Sequence, residues 1–257
     1  MKKYIGGKTI RLFLVFGFLT GASATLLAQT VPGSVEVENG ENATDSIQAM
    51  KWYQKAADLG NSQADSDIGA LYLEGNGVTQ DKQAAMKWFK KGAAKGNAIA
   101  ESNIAKMYLS GNGVPQDYHQ AMKWFKRSAA KGHASAAGNI GTMYREGNGV
   151  AKDYQQALIW YKKGADQGDV YSEILLAGMY SNGEGVTKDD QQAFAWFKKA
   201  ADQGNAGAED SIGMMYYLGN GVPKDKTEAK IWVQKAADQG DKTAQNQIDN
   251  QSNWVNP

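Results

Sequence analysis

Three sets of residues in this 257-residue chain have types and spacings that could do chemistry. Ser128-Ala-Ala-Lys131 sets a hydroxyl and an amine three residues apart, the pattern of an acyl-transferring serine with a lysine beside it. The only two histidines, His119 and His133, would form a base or a metal pair if the fold joined them. Aspartates recur at 45, 81, 117, 153, 189 and 225 and would hold a cation if they clustered. No S-D-N or K-T-G triplet accompanies the serine, since Lys242-Thr243 is followed by alanine. The chain has no cysteine, which excludes disulfides, thiolate metal sites and a cysteine nucleophile.

The elements that must position these residues follow from a step of 36. Trp52, Trp88, Trp124, Trp160, Trp196 and Trp232 are each 36 residues apart. Tyr72, Tyr108, Tyr144, Tyr180 and Tyr216 keep the step. So do Gly75 and its equivalents, and the second glycines Gly77, Gly113, Gly149, Gly185 and Gly221. A fixed period of this length marks a solenoid whose units pack on their neighbours. Within a unit, Ala85, Trp88, Phe89, Gly92 and Ala93 form the stripe of a helix buried on one side, which predicts a buried tryptophan. The aspartates open that helix. Gln or Glu follows three residues later in five of six units, which resembles a capping box. Gly96 and its equivalents close the helix, and Asn61, Asn97, Asp169, Asn205 and Asp241 stand where a second helix needs its N-cap. That helix carries Ala100, Ile104, Met107 and Tyr108 on one side, with a small residue at Gly69, Ala105, Gly141, Ala177 and Gly213 for close helix approach. The Gly-Asn-Gly-Val loop joins the two, its valine turned into the core.

The period explains the chemical candidates as scaffold. Ser128 aligns with Gly92, Gly164 and Ala200, the small position of the stripe, and Lys131 with an exposed helix end. His119 aligns with first-turn glutamines, and His133 with the turn asparagines. One aspartate per unit gives no cluster. The reading therefore assigns no catalytic residue, no metal ligand and no cofactor.

The chain ends differ from the array. Lys2, Lys3, Lys8 and Arg11 precede the apolar run Leu12 to Leu19 and Ala22-Ser23-Ala24, the layout of an export signal ending at 24 or, alternatively, at 28. Without residues 1–28 the balance is 24 basic to 27 acidic, with no basic excess to favour nucleic acid. Residues 25–44 read as a linker. The array spans 45–249, with a half unit at 45–71 and units starting at 72, 108, 144, 180 and 216, and 250–257 form a tail. The leader implies a bacterial periplasmic or secreted protein, and no second apolar stretch provides a membrane span after cleavage.

The 36-residue step, the Gly-x-Gly-Val-x-x-Asp loop, the x-Ala-x-x-Trp-(Phe/Tyr) helix and the Ala-Ala-x-x-Gly ending resemble Sel1-like repeats, relatives of the tetratricopeptide repeat. The resemblance implies an all-α fold, a right-handed α-solenoid of antiparallel helix pairs. It also implies an adaptor or scaffold that binds another protein or peptide, with envelope assembly, host-directed binding and periplasmic immunity among the possible roles. A cysteine-rich exported branch of the family is associated with β-lactam chemistry. That branch holds its repeats with disulfides and this chain has none, so a β-lactamase-like or peptidoglycan-directed hydrolase remains the alternative reading, without a supported catalytic constellation.

A binding face is expected where the repeat fails to repeat. With Ala64, Ile68, Leu71 and Tyr72 buried, positions 66, 70 and 73 lie opposite, flanked by 67 and 74. By resemblance to tetratricopeptide arrays this helix lines the concave surface. The residues there differ from unit to unit. They predict a polar end around Asn103, Lys106, Asn139 and Arg145, and an apolar end around Ile174, Met214 and Tyr217.

Overall fold

The structure, a computed structural model, describes residues 32–41 and 45–249. The expected leader and the tail 250–257 lie outside the described residues. Among the described residues there are thirteen helices and no strand. They are α1 (Ser34–Glu41), α2 (Ser46–Asp58), α3 (Ser62–Glu74), α4 (Lys82–Ala94), α5 (Ala98–Ser110), α6 (Tyr118–Ala130), α7 (Ala134–Glu146), α8 (Tyr154–Ala165), α9 (Val170–Asn182), α10 (Asp190–Asp202), α11 (Ala206–Leu218), α12 (Lys226–Asp238) and α13 (Lys242–Asp249). Each helix packs on the next in sequence, as a repeat solenoid requires. None of these helices is long and apolar enough to cross a membrane.

Each boundary has a physical cause. Aspartate accepts backbone N–H bonds at the start of α2, α4, α6, α8, α10 and α12, for example from Gln120 N at 3.0 Å. The reciprocal half of the expected capping box is replaced by a backbone bond. The N–H of Asp81, Asp117, Asp153, Asp189 and Asp225 donates to the carbonyl of Tyr72, Tyr108, Tyr144, Tyr180 and Tyr216, each at 2.9 Å. The loop is thereby closed across nine residues, leaving the glutamine with no donor to cap. The loop's second glycine is needed twice over. Gly149 has φ +71°, and a Cβ there would stand 2.5 Å from Tyr118 Cβ on the preceding unit.

Two expectations change. Residues 25–44 were expected to be linker throughout, yet Ser34–Glu41 form α1, which packs on α2 with Val37 and Gly40 buried. The Tyr53 ring lies against bare Gly40, a contact outside the 36-residue pattern. The fully buried aromatic of the unit is also not the tryptophan. Phe89, Phe125 and Tyr161, the residues after it, are the ones with no exposed surface. The ring lies on the small position of the facing helix, as Phe89 does on Gly69 and Tyr161 on Gly141. Trp88, Trp124, Trp160 and Trp232 are half-buried at the seam with the preceding unit, and among the described tryptophans only Trp196 is closed off, at 8% exposure.

The exposed indole face is covered by a cation three residues on. Lys91, Arg127, Lys163, Lys199 and Lys235 stand 3.8–4.9 Å from the ring centroids of Trp88, Trp124, Trp160, Trp196 and Trp232. Three of them also reach a carboxylate with no exposed surface on the neighbouring helix. Lys91 is 3.0 Å from Asp65, Arg127 2.8 Å from Glu101, and Lys235 2.7 Å from Glu209. Lys95 and Lys131 supply second cations to Asp65 and Glu101 at 2.6 and 2.9 Å. In the unit of Trp160 the acid is replaced by Ala137, and Lys163 stacks without it. Helix, seam and buried charge are thus fastened at one point in the units of Trp88, Trp124 and Trp232.

Candidate partner-binding face

The helices α3, α5, α7, α9 and α11 share one side of the solenoid. α3 touches α5, and α7 touches α9, whereas no two of α4, α6, α8, α10 and α12 come as close. The closer set lies on the inside of the curve. Its outward stripe follows the helical spacing i, i+4, i+7, i+11. On α5 it comprises Ile99, Asn103, Lys106 and Ser110, and on α9 Tyr171, Leu175, Gly178 and Asn182.

Position 66, expected on this stripe, is instead buried. Ser66, Ser102 and Gly138 have almost no exposed surface, because successive inner helices lean on one another there. Ile174 shares the position and packs against the cluster of Ala200, Ala201, Ala208 and Ile212, so it belongs to the core margin rather than to an open groove. The first-turn position was missing from the sequence reading and proves exposed. Ile99 is 39% and Tyr171 50% exposed, and Leu218, at the far end of α11, is 55% exposed. The signal of Ile99 and Tyr171 was visible as large apolar residues in place of Gln63, Ser135 and Gly207, whereas Leu218 stands at the flanking position 74, held in other units by Glu74, Ser110, Glu146 and Asn182.

At the polar end, Lys106 is exposed, and no ion pair engages it among the described residues. It faces the start of α7. Burial, and then the Lys106 charge, hold the His133 imidazole below its usual range. His133 Nε2 lies 2.9 Å from Ser135 Oγ, and His133 is an N-cap position without a side-chain cap bond. Asn139 turns its amide onto the Ser135 carbonyl at 2.7 Å, and Asn103, its equivalent one unit earlier, is half-buried. Arg145 is not available as a binding cation. Its guanidinium donates to both carboxylate oxygens of Glu184 on the next unit's loop, at 2.9 and 3.3 Å. That pairing raises the arginine's pKa and lowers the glutamate's.

At the apolar end, Met214 and Tyr217 are half-buried on α11, with Lys224 Nζ 5.6 Å from the Tyr217 ring centroid. Between the two ends the face is open at Gly178, where an added Cβ would meet no side chain and no neighbouring helix within 4 Å. The stripe runs from Asn103 and Lys106 past Gly178 to Met214 and Tyr217. Its chemistry is that of a peptide or protein surface: Lys106, which no ion pair engages among the described residues, amides, and half-exposed apolar side chains.

The chemical candidates are structurally occupied. Ser128 has no exposed surface, and its hydroxyl donates to the Ala98 carbonyl at 2.7 Å. Lys131 donates to Glu101 and to the Gly96 carbonyl, at 2.9 and 3.1 Å. No group of three His, Asp or Glu side chains among the described residues is arranged to hold a metal.

The chain resembles solved repeat proteins. It is 36% identical, with a TM-score of 0.71, to c5321, a protective antigen present in uropathogenic Escherichia coli strains. That match covers 87% of this chain and 49% of the antigen, so the chain spans about half its relative's length. A Sel1 repeat protein from Oxalobacter formigenes is 34% identical, with a TM-score of 0.75, over 80% of this chain and 86% of that one. The immunity protein Pa5087 from Pseudomonas aeruginosa shares the fold at 17% identity and a TM-score of 0.61, over 80% of this chain and 81% of that one. A search of curated proteins found no match. The family model for the Sel1 repeat matches six consecutive segments, at residues 38–61, 62–97, 98–133, 134–169, 170–205 and 208–241. With the period, the caps and the helix pairs all in register with those six segments, the chain belongs to the Sel1 repeat family.

Proposed function

We propose that this chain is an exported interaction scaffold that grips a partner protein or peptide on its inner face, and that it carries no catalytic activity of its own. The reading is carried by one observation. The inner stripe varies from unit to unit, from Asn103 and Lys106 through Gly178 to Met214 and Tyr217, while the residues that build the fold recur every 36 positions. Sel1 repeat proteins generally serve as interaction scaffolds, which supports the class. Export rests on the leader, and the place of action is periplasmic or extracellular. Within this class, blocking a toxin in the periplasm, assisting envelope assembly and engaging a host protein differ only in the partner.

Affinity capture from cell-envelope extracts with the full chain tests the reading. A specific partner is expected, with faster dissociation from a Met214→Ala/Tyr217→Ala variant, because half-buried apolar side chains are the usual anchors. Turnover of a chromogenic β-lactam by the purified chain would overturn the non-enzymatic part.

A further inference from the structure

The outer face departs from the repeat at one place. In four of the six tryptophan-bearing helices, the side chain two residues after the tryptophan bonds to an aspartate one turn later. Gln54 donates to Asp58 at 2.9 Å, Lys162 pairs with Asp166 at 3.0 Å, Lys198 pairs with Asp202, and Gln234 donates to Asp238 at 2.8 Å. In α4 and α6 the aspartate is replaced by Ala94 and Ala130, so Lys90 and Lys126 have no such partner. The residue before the tryptophan changes too. It is Ile159, Ala195 and Ile231 in α8, α10 and α12, but Lys51, Lys87 and Lys123 in α2, α4 and α6, and only α4 and α6 combine it with the missing aspartate.

These changes coincide in adjacent units. Residues 82–95 and 118–131 together hold nine Lys or Arg and no Asp or Glu. Some of those cations are engaged: Lys91 and Lys95 hold Asp65, and Arg127 and Lys131 hold Glu101. Lys87, Lys90, Lys123 and Lys126 are exposed, and among the described residues no acid pairs with them. A repeat protein near neutrality overall has therefore concentrated unneutralised charge on two neighbouring outer helices.

We propose that the outer face of α4 and α6 docks on the surface of an anionic phospholipid bilayer. The four free cations are lysines, compact and strongly hydrated point charges on flexible stems. Such groups suit the diffuse field of a headgroup layer better than the two-pronged grip on a single carboxylate that arginine offers. The patch lies on the outside of the curve, where a solenoid meets a plane. The inner stripe then faces away from the membrane and stays open to a partner. The described helices contain no membrane span, so this attachment is peripheral and electrostatic.

Co-sedimentation of the full chain with vesicles tests the docking. Binding is expected to vesicles of phosphatidylcholine with about a third phosphatidylglycerol, not to phosphatidylcholine alone, and to fall steeply as salt rises from 50 to 500 mM. The variant Lys87→Glu/Lys90→Glu/Lys123→Glu/Lys126→Glu should keep its melting temperature and lose on the order of a hundredfold in partitioning. A control variant, Lys51→Glu/Lys230→Glu, changes charge elsewhere on the outer helices and should lose only a fewfold. Equal loss in both variants would overturn the assignment to α4 and α6. Absence of binding to the anionic vesicles at 50 mM salt would overturn the bilayer as occupant, as would tight binding of this patch to a soluble acidic polypeptide in place of vesicles. Inner-stripe variants should bind vesicles normally, so failure here is distinguishable from failure of the scaffold reading.

Discussion

Arg127 Nη2 lies 2.8 Å from Glu101, a carboxylate with no exposed surface, while the same guanidinium stacks 4.5 Å from the Trp124 ring centroid. One side chain thus neutralises a buried charge and covers the half-exposed indole at the seam between units. Losing both cations of this site, in Arg127→Met/Lys131→Met, should destabilise the chain by about 3 kcal/mol, because it leaves an unpaired buried carboxylate. Lys126→Met, one residue away with no partner, should stay within about 0.5 kcal/mol. Urea unfolding of the two variants measures the difference.

The aromatic pair ranks in the reverse of its sequence prominence. Phe125 is fully buried and Trp124 is half-buried, so Phe125→Ala should cost about 3–5 kcal/mol and Trp124→Ala less. Equal losses in urea unfolding would contradict this ranking, and a larger loss from Trp124→Ala would place the tryptophan at the centre of the unit.

Glycines with similar backbone angles should respond differently. Gly168 has φ +80° with nothing within 4 Å of a new Cβ, so Gly168→Ala bears conformational strain alone, roughly 1–2 kcal/mol. Gly149→Ala adds a collision with Tyr118 and should lose clearly more, by thermal unfolding of each variant.

Burial, with Glu41 nearby, pushes the Asp67 carboxyl up to about 6. An unfolded aspartate titrates near pH 3.9. The folded state therefore binds the extra proton between those values, and stability falls as pH rises from about 4 to about 6. The equivalent positions hold Asn103 and Asn139. Asp67→Asn should raise the melting temperature at pH 7 and remove that slope. An unchanged pH profile would show that Asp67 titrates normally.

The legible and illegible features divide by what a single unit can reveal. The solenoid, its loops and its aspartate caps repeat residue for residue, so Asp153 and Gly149 declared their roles through their equivalents. The buried acid did not, because the column reads Asp65, Glu101, Ala137, Glu173, Glu209, and its meaning depends on cations 26 and 30 residues on. Position 66 was placed outward by helical geometry alone. The lean of one inner helix on the next buries it, and no single helix encodes that lean. Arg145 looked like a groove cation because Glu184 breaks the loop consensus 39 residues away. Helix α1 lies before the first full unit, where no period marks it.

The inner face is the centre of the account, and its Lys106 has no ion pair among the described residues. Lys106→Glu should slow partner association and change its salt dependence without unfolding the chain, as seen by stopped-flow binding and circular dichroism. Arg145→Glu is unsuitable for that purpose, since it would set two carboxylates together at Glu184.

The most direct measurement is a footprint of the bound partner. Oxidative labelling of the full chain, alone and in its complex, reads protection at Tyr171, Met214 and Tyr217 on the inner stripe against Ile159 and Ile231 on the outer helices. The account predicts strong protection of the first three and none of the isoleucines. Protection confined to Ile159 and Ile231, with Tyr171, Met214 and Tyr217 unchanged, would contradict it.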